Sequence, residues 1–289
     1  MAPSRRRPCI HLALFFFLAA GQSATAFKSN ETVVYWGRHS DADEGTLRST
    51  CDTGLYTSVI ITFYNAFTHH HRHGHLDISG HDVTAVGADI KHCQSKGISI
   101  LLAVGGQGGD YSLPSSQSAA DVADDIWNAF LGGGGVFRPF GDAVVDGVDL
   151  FIDQGGADHY DELARRLFSH YKYEMLLTAT TRCSFPDRRL AKALATGLFS
   201  HIHVRMFGDD VCTSSVRGSW EKWAAAYTGS LVYIGVVASP ELDTKAYMSR
   251  KALYDSVIRY IEEKPNYGGM VIWDRFYDKK TGFSVGKLV

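Results

Sequence analysis

One short segment contains the residues whose chemistry is most informative in this sequence. Along residues 146–153, Asp149, Phe151 and Asp153 are spaced two apart. Side chains of a strand alternate between its two faces, so these three would share one face. Two carboxylates on one face could act as a general acid and a general base. They could equally be buried, hydrogen-bonded acids without chemistry, and the spacing alone does not separate the two interpretations.

Eight short apolar segments are predicted to be the strands that would position this face. Most are nearly continuous apolar runs, which is typical of strands buried on both faces. They are residues 33–36, 59–63, 98–104, 147–152, 175–181, 201–206, 231–236 and 269–273. Helical patterns lie between them at residues 83–96, 119–131, 158–169, 186–194 and 249–263, and Pro186 is expected to open the fourth of these helices.

The alternation of strands and helices predicts an α/β fold, a single-domain (β/α)8 TIM barrel. The alternative is an open, doubly wound sheet. However, no G-x-G-x-x-G follows the first strand, and no linker-like run of Pro or Ser divides the chain. Active sites of such barrels lie at the C-terminal ends of the strands, which places Asp153 nearest the mouth.

The first 26 residues have the features of a secretory signal peptide. Arg5, Arg6 and Arg7 precede an apolar run at residues 12–20, and residues 24–26 form an A-x-A cleavage pattern. We therefore predict a barrel over residues 27–289, secreted to the extracellular space or apoplast. That part carries 26 basic and 31 acidic residues, a formal charge of −5. No nucleic acid or membrane partner is expected, and a monomer is predicted.

The cysteines agree with an oxidising compartment. Cys51, Cys93, Cys183 and Cys212 remain after removal of the leader, and four cysteines allow three pairings. In a barrel, the first two lie on neighbouring helical segments, and the last two follow strands five and six at the same end. We therefore predict the disulfides Cys51–Cys93 and Cys183–Cys212. The sequon at Asn30 is a predicted glycosylation site, with an unused sequon as the alternative.

Five histidines crowd the segment after the second strand. They are His69, His70, His71, His73 and His75. Such a tract could bind Zn²⁺, Ni²⁺ or Cu²⁺, or it could be an exposed loop whose charge rises below about pH 6.5. No cysteine and no E-x-x-H spacing accompanies it, and the glycine-rich stretches lack the G-K-[ST] ending of a phosphate loop. No metal site and no cofactor is predicted.

Residues 146–153 resemble the D-x-x-D-x-D-x-E signature of glycoside hydrolase family 18, and in particular plant class III chitinases. The resemblance includes VYWG (34–37), LLAVGG (101–106), IWN (126–128), ATGLF (195–199), NYGG (266–269) and Trp273. It implies the (β/α)8 fold and the same two disulfides. In such chitinases the final Glu protonates the glycosidic oxygen, and the preceding Asp orients the substrate's own N-acetyl group for attack.

The chain departs from the chitinase pattern where the reaction needs specific groups. Asp153 replaces the final Glu, which retracts the carboxylate by roughly 1.5 Å, and a 1 Å misplacement can cost about a hundredfold in rate. Phe151 replaces the preceding Asp, Phe207 a Tyr, Arg205 a Gln and Ala103 a Ser. The resemblance thus implies a degenerate pocket with no catalytic residue. We assign to this pocket Asp146, Asp149, Phe151, Asp153, Arg205, Phe207 and Trp273.

Several stretches resemble plant xylanase inhibitor proteins, a catalytically silent branch of family 18, more than chitinases. They are DGVDLF (146–151), LTAT (177–180), HVR (203–205), GSWEKW (218–223) with AAY (225–227), and WDR (273–275). This implies an inhibitor of microbial, in particular fungal, endo-1,4-β-xylanases that acts in plant defence and has no chitinase activity. The alternatives are a weak chitinase or lysozyme using Asp153, and a chitin- or oligosaccharide-binding lectin using Trp273 and Tyr35.

The two inhibitory surfaces of this branch match the chain unevenly. The enlarged loop whose Arg enters family 11 xylanases is reduced here to residues 169–174, where Lys172 is the nearest basic residue. Lys251 matches a Lys at the start of the seventh helix that contacts family 10 xylanases, although the adjacent Asn is Ala252. The alternative for Lys251 is a solvated helix lysine. We expect family 10 to be inhibited in preference to family 11.

Overall fold

The computed structural model describes residues 31–67, 74–171 and 175–285. The predicted leader, residues 1–26, lies outside the described residues, as do Asn30, Lys172 and the histidines from His69 to His73. His75 is the member of the tract that is described, and it is exposed. Across the described ranges, none of the helices has the length and apolar character needed to cross a bilayer.

The described residues include eight parallel strands that close into a barrel. In chain order, with two short additions, the strands are β1 (Glu31–Trp36), β2 (Ser58–Phe67), β3 (His75–Leu76), β4 (Ser99–Gly105), β5 (Asp110–Tyr111), β6 (Gly147–Phe151), β7 (Leu176–Arg182), β8 (His201–Arg205), β9 (Leu231–Val237) and β10 (Tyr267–Trp273). Val34 of β1 is in register with Val59 of β2 and with Ile272 of β10, which closes the ring. The short β3 and β5 both pair with the end of β2. The predicted (β/α)8 barrel is confirmed.

Helices connect the strands around the outside. They are α1 (Leu47–Asp52), α2 (Val83–Ser95), α3 (Ser116–Phe130), α4 (Tyr160–Tyr171), α5 (Ala191–Leu194), α6 (Asp210–Thr213), α7 (Val216–Ala226), α8 (Arg250–Leu253), α9 (Arg259–Ile261) and α10 (Arg275–Thr281). A π-helical turn, Tyr254–Ile258, joins α8 to α9. Side-chain caps set several of the starts. Asp82 accepts the N–H of Thr84 before α2, and Ser115 accepts that of Ser118 in α3.

The helix predicted from Pro186 is wrong at its beginning, because α5 starts only at Ala191. The buried carboxylate of Asp187 accepts the backbone N–H groups of Arg182, Arg189 and Leu190 at 3.1, 2.8 and 2.8 Å. These bonds hold the intervening chain in turns. Oδ1 of Asp187 bonds the N–H groups two and three residues later, as an N-cap side chain does, so helical turns begin only after Asp187 and not at Pro186.

Two apolar clusters separate the inside of the barrel from its outside. The inner cluster contains Val33, Tyr35, Ile60, Phe63, Leu101, Ala103, Phe151, Tyr233 and Val271. The outer cluster packs the other strand faces, such as Val34 and Trp36, against the helices. The alternation along β1 thus assigns odd residues to the interior, as strand geometry requires. The predicted interior position of Asp149 and Phe151 agrees with this arrangement, since Phe151 belongs to the inner cluster and Asp149 lies two residues before it on the same face of β6.

Both predicted disulfides are present. Cys51 in α1 is bonded to Cys93 in α2, and Cys183 after β7 to Cys212 in α6, with a Cα–Cα distance of 5.6 Å in each. Each closes a loop and can stabilise the fold by up to about 4 kcal/mol through the unfolded chain. Asp209 lies beside the second disulfide, but the sulfurs there are already bonded to each other and offer no thiolate to a metal.

A buried histidine just before α2 is hydrogen-bonded to two carboxylates in the segment after β1. His81 lies 2.5 Å from Asp41 through Nδ1 and 3.0 Å from Glu44 through Nε2, and its ring is 4.1 Å from that of Trp36. With a carboxylate at each ring nitrogen, both nitrogens must donate. Burial lowers the pKa of His81, but the two carboxylates outweigh burial and raise its pKa above the ordinary value.

We expect the bonds of His81 to stabilise the fold more in mild acid than in alkali. Because the pKa is higher in the folded state, the contribution is fully present below about pH 6.5 and is lost as the pH rises through the folded pKa. Urea unfolding of the parent and of His81→Gln from pH 5 to pH 9 measures it. The stability difference between the two should shrink with rising pH, and a constant difference would contradict the assignment.

Candidate functional site

The carboxyl ends of three neighbouring strands converge on Asp153 at the barrel mouth. Asp153 follows β6, Arg182 ends β7 and Arg205 ends β8, with the two arginines in register. Arg182 donates to Oδ1 of Asp153 from Nε at 3.1 Å and from Nη2 at 2.8 Å. Arg205 donates to the same oxygen from Nη2 at 2.8 Å. The candidate acid therefore lies where the sequence placed it, but two guanidinium groups hold it.

These ion pairs determine the protonation state of Asp153. Burial raises the pKa of this carboxyl, but the attraction and hydrogen bonds of Arg205 and Arg182 outweigh burial and lower its pKa to about 2. A general acid must carry its proton at the working pH, and the most effective one has a pKa near that pH. Asp153 is ionised throughout the neutral and mildly acidic range, so it has no proton to give to a leaving group.

The guanidinium group of Arg205 covers the ring of Phe151. Its Cζ lies 4.3 Å from the centroid of Phe151 and 5.9 Å from that of Phe207, within cation–π range. Arg205 is only 4% exposed. The side chains at 151, 153, 205 and 207 therefore form one packed unit. Phe151 supports the arginine that pairs with the carboxylate of Asp153.

Trp273, at the end of β10, completes the aromatic group. Its ring centroid lies 5.0 Å from Tyr35, 5.8 Å from Phe151 and 6.5 Å from Phe207. Trp273 is half-buried, whereas Tyr35 is completely buried. Tyr35 thus offers no ring face to a sugar, and the lectin alternative would depend on Trp273 without it.

Asp149 lies deeper in the barrel and is hydrogen-bonded on both oxygens. Thr178 donates to Oδ1 at 2.6 Å, Thr180 donates to Oδ2 at 2.7 Å, and Nδ1 of His203 lies 3.1 Å from Oδ1. The hydroxyl of Tyr35 bonds Thr180 in turn at 2.6 Å. All of these residues are buried. Of the two sequence interpretations, Asp149 fits the buried, hydrogen-bonded acid.

Asp146 lies apart from the other assigned pocket residues, beyond the opposite end of β6. Its Oδ2 accepts the N–H of Ile100 at 2.7 Å and Nε2 of Gln94 at 3.1 Å. Ile100 lies near the beginning of β4, so this carboxylate anchors the starts of two neighbouring strands. A motif that runs the full length of a strand necessarily places its first and last residues at opposite ends.

Arg182 and Tyr111 belong to the mouth but were not identified from the sequence. The hydroxyl of Tyr111 donates to the carbonyl oxygen of Gly106 at 2.7 Å and accepts the N–H groups of Asp153 and Gln154 at 3.1 and 3.2 Å. It therefore fixes the backbone that carries Asp153. The sequence could have indicated Arg182, since it ends strand β7 just as Arg205 ends the next strand, which places both at the barrel mouth.

Lys251 lies in α8, the helix that follows β9, on the side where the strands end. Its side chain is 84% exposed and its Nζ lies 2.5 Å from Oδ2 of Asp255, one turn later. The lysine is accessible to a partner but already has an acidic neighbour on its own helix. Exposed pairs of this kind contribute at most about 0.5 kcal/mol and are easily exchanged.

The chain matches the model of one family of known enzymes over most of its length. The model described as glycosyl hydrolases family 18 matches residues 31–233. The chain belongs to glycosyl hydrolase family 18. Family 18 membership agrees with the resemblance found in the sequence.

Several family 18 relatives are inhibitor proteins. "Xylanase inhibitor protein 2" of Oryza sativa subsp. japonica is 65% identical over 259 residues, covering 87% of this chain and 88% of the relative. "Xylanase inhibitor protein XIP" of the same organism is 55% identical over 290 residues, covering 96% and 98%. The solved xylanase and α-amylase inhibitor protein XAIP-II of Scadoxus multiflorus has a TM-score of 0.84 at 35% identity, covering 89% and 97%. The predicted resemblance to xylanase inhibitor proteins is confirmed.

Proposed function

We propose that this family 18 protein is a secreted inhibitor of microbial xylanases that acts in plant defence as a monomer and has no chitinase activity. The observation that carries the proposal is the unit in which Arg182 and Arg205 hold the carboxylate of Asp153 while Arg205 covers the ring of Phe151. The relatives named as xylanase inhibitor proteins support the choice of target.

The chemistry of the mouth supports the loss of the family reaction. Substrate-assisted hydrolysis needs a protonated carboxyl beside the glycosidic oxygen and a second carboxylate for the N-acetyl group. Asp153 is ionised, and Phe151 cannot bond an amide. A protein that binds another protein through its surface needs neither group, so these replacements do not compromise an inhibitor.

The decisive experiment adds purified protein of residues 27–289 to family 10 and family 11 xylanases. Slowing of a family 10 enzyme at micromolar concentration is expected, and no slowing of either family would overturn the proposal. Chito-oligosaccharide cleavage that disappears in Asp153→Ala would instead support a weak chitinase. Calorimetric heat with chitin oligomers would support a lectin.

Lys251→Ala should weaken the inhibition of a family 10 xylanase at least several-fold. Its exposed ammonium group is placed to meet the carboxylates of the enzyme's cleft, and such attraction falls with added salt when the contact is partly exposed. Inhibition constants at two salt concentrations measure the effect. Lys264→Ala is the matched control, because Lys264 is exposed but follows α9 at the far end of the barrel. Equal inhibition by the parent and Lys251→Ala would remove Lys251 from the contact.

A further inference from the structure

The loop that follows β7 projects an apolar and a basic side chain from the barrel mouth. We call residues 183–189 the rim loop. Phe185 is 36% exposed, one of the large apolar side chains exposed in the described residues, and Pro186 and Arg188 are exposed beside it. Since β7 is parallel to the other barrel strands, the rim loop lies at the same end as Asp153 and Lys251.

The rim loop is held rigidly from beneath. Cys183 is disulfide-bonded to Cys212, and its carbonyl oxygen accepts Nε1 of the buried Trp223 at 3.0 Å. The ring of Phe185 lies edge-on to Trp223, with 5.1 Å between the centroids. The carboxylate of Asp187 holds three backbone N–H groups of the loop and its flanks. A loop already fixed in one conformation loses little entropy when it binds.

The charge of Arg188 is not used within the protein. Across the part of the chain that the structure describes, Arg188 makes no hydrogen bond or ion pair, whereas Lys251 is paired with Asp255 and Arg182 with Asp153. Arginine and large aromatic side chains are prominent among the few residues that supply most of the binding energy of protein interfaces.

We propose that the rim loop is an anchor that enters the substrate cleft of a xylanase, with Arg188 directed to the cleft's carboxylates and Phe185 against its sugar-binding surface. The inference rests on the proposed inhibitory function. A glycosidase cleft is concave and contains a pair of carboxylates at its centre. An exposed, braced loop with the unpaired cation of Arg188 is complementary in charge to that cleft, and Phe185 adds an exposed ring beside the cation.

The test measures inhibition constants of the full chain against a family 10 xylanase. Arg188→Glu should weaken inhibition at least tenfold, Arg188→Lys less, and Phe185→Ser/Arg188→Ala at least tenfold. The matched control is Arg259→Ala/Tyr260→Ala. Tyr260 is 47% exposed and Arg259 lies 5.1 Å from its ring, but this pair is at the far end of its helix. Unchanged urea midpoints for Arg188→Glu confirm that it is folded.

The outcomes separate this proposal from the one on which it rests. A parent that inhibits, with Arg188→Glu inhibiting equally well, overturns the rim loop and leaves the inhibitory function intact. A parent that neither inhibits nor binds overturns both. Xylo-oligosaccharides that fill the cleft should also compete with the parent for the enzyme. Inhibition that does not weaken with these sugars places the contact outside the cleft and overturns the anchor.

Discussion

We expect that Asp153→Glu, which restores the Glu of the chitinase pattern alone, will not hydrolyse chito-oligosaccharides. The longer side chain would remain within reach of Arg182 and Arg205, which would keep it ionised as they do Asp153. Phe151 would still leave the substrate's N-acetyl group without a carboxylate partner. Losses within one catalytic unit are not additive, so repairing one member restores little.

Changing all four residues of the packed unit at 151, 153, 205 and 207 together is expected to restore measurable hydrolysis. The variant Phe151→Asp/Asp153→Glu/Arg205→Gln/Phe207→Tyr should exceed Asp153→Glu by at least about a hundredfold in turnover, since a correctly placed general acid alone contributes that much. A fluorogenic chito-oligosaccharide assay measures both, with the parent as the baseline. Robust turnover by Asp153→Glu alone would refute our explanation of the silent site.

Asp149→Ala should destabilise the fold by about 3 kcal/mol or more, because it leaves several buried groups without their acceptor. Thr178 and Thr180 both donate to this carboxylate, and His203 lies beside it in the barrel interior. None of these groups is accessible to water that could replace the lost bonds. The substitution also opens a cavity where the carboxylate packed.

Urea unfolding at neutral pH measures this loss. Asp255→Ala is the control, since Asp255 lies on the surface and its removal should change stability by less than about 1 kcal/mol. Asp149→Asn keeps the shape and should cost less than Asp149→Ala. A change of under about 1 kcal/mol for Asp149→Ala would show that the interior polar network is not needed for the fold.

The barrel could be predicted from the sequence because each of its strands is buried on both faces. Such strands appear as continuous apolar runs, and helices of ordinary length separate them. The two-residue period then placed Asp149 and Phe151 in the interior and Asp153 at the mouth, as in the structure. The disulfides followed, since neighbouring elements of a barrel are also neighbours in space.

The ion pairs of Asp153 could not be predicted, because they join residues far apart in the chain. Arg182 is 29 residues away and Arg205 is 52 residues away, and no local sequence pattern indicates that either one pairs with Asp153. The start of α5 was predicted wrongly for a different, local reason. The carboxylate of Asp187 caps the backbone N–H groups of Arg189 and Leu190, so the chain turns first and α5 begins well after Pro186.

The contacts that brace the rim loop are expected to make it resistant to proteolysis. A protease cleaves a segment that can be drawn out into an extended strand, and exposed loop tips are its usual targets. Residues 183–189 cannot be drawn out without breaking the bonds of Asp187 and lifting Phe185 off Trp223, and the Cys183–Cys212 bond limits how far they could move. Cleavage there would first require a local opening that breaks these contacts. An exposed basic loop, ordinarily a good substrate for trypsin-like enzymes after Arg188 or Arg189, is therefore expected to stay intact while the disulfide remains oxidised.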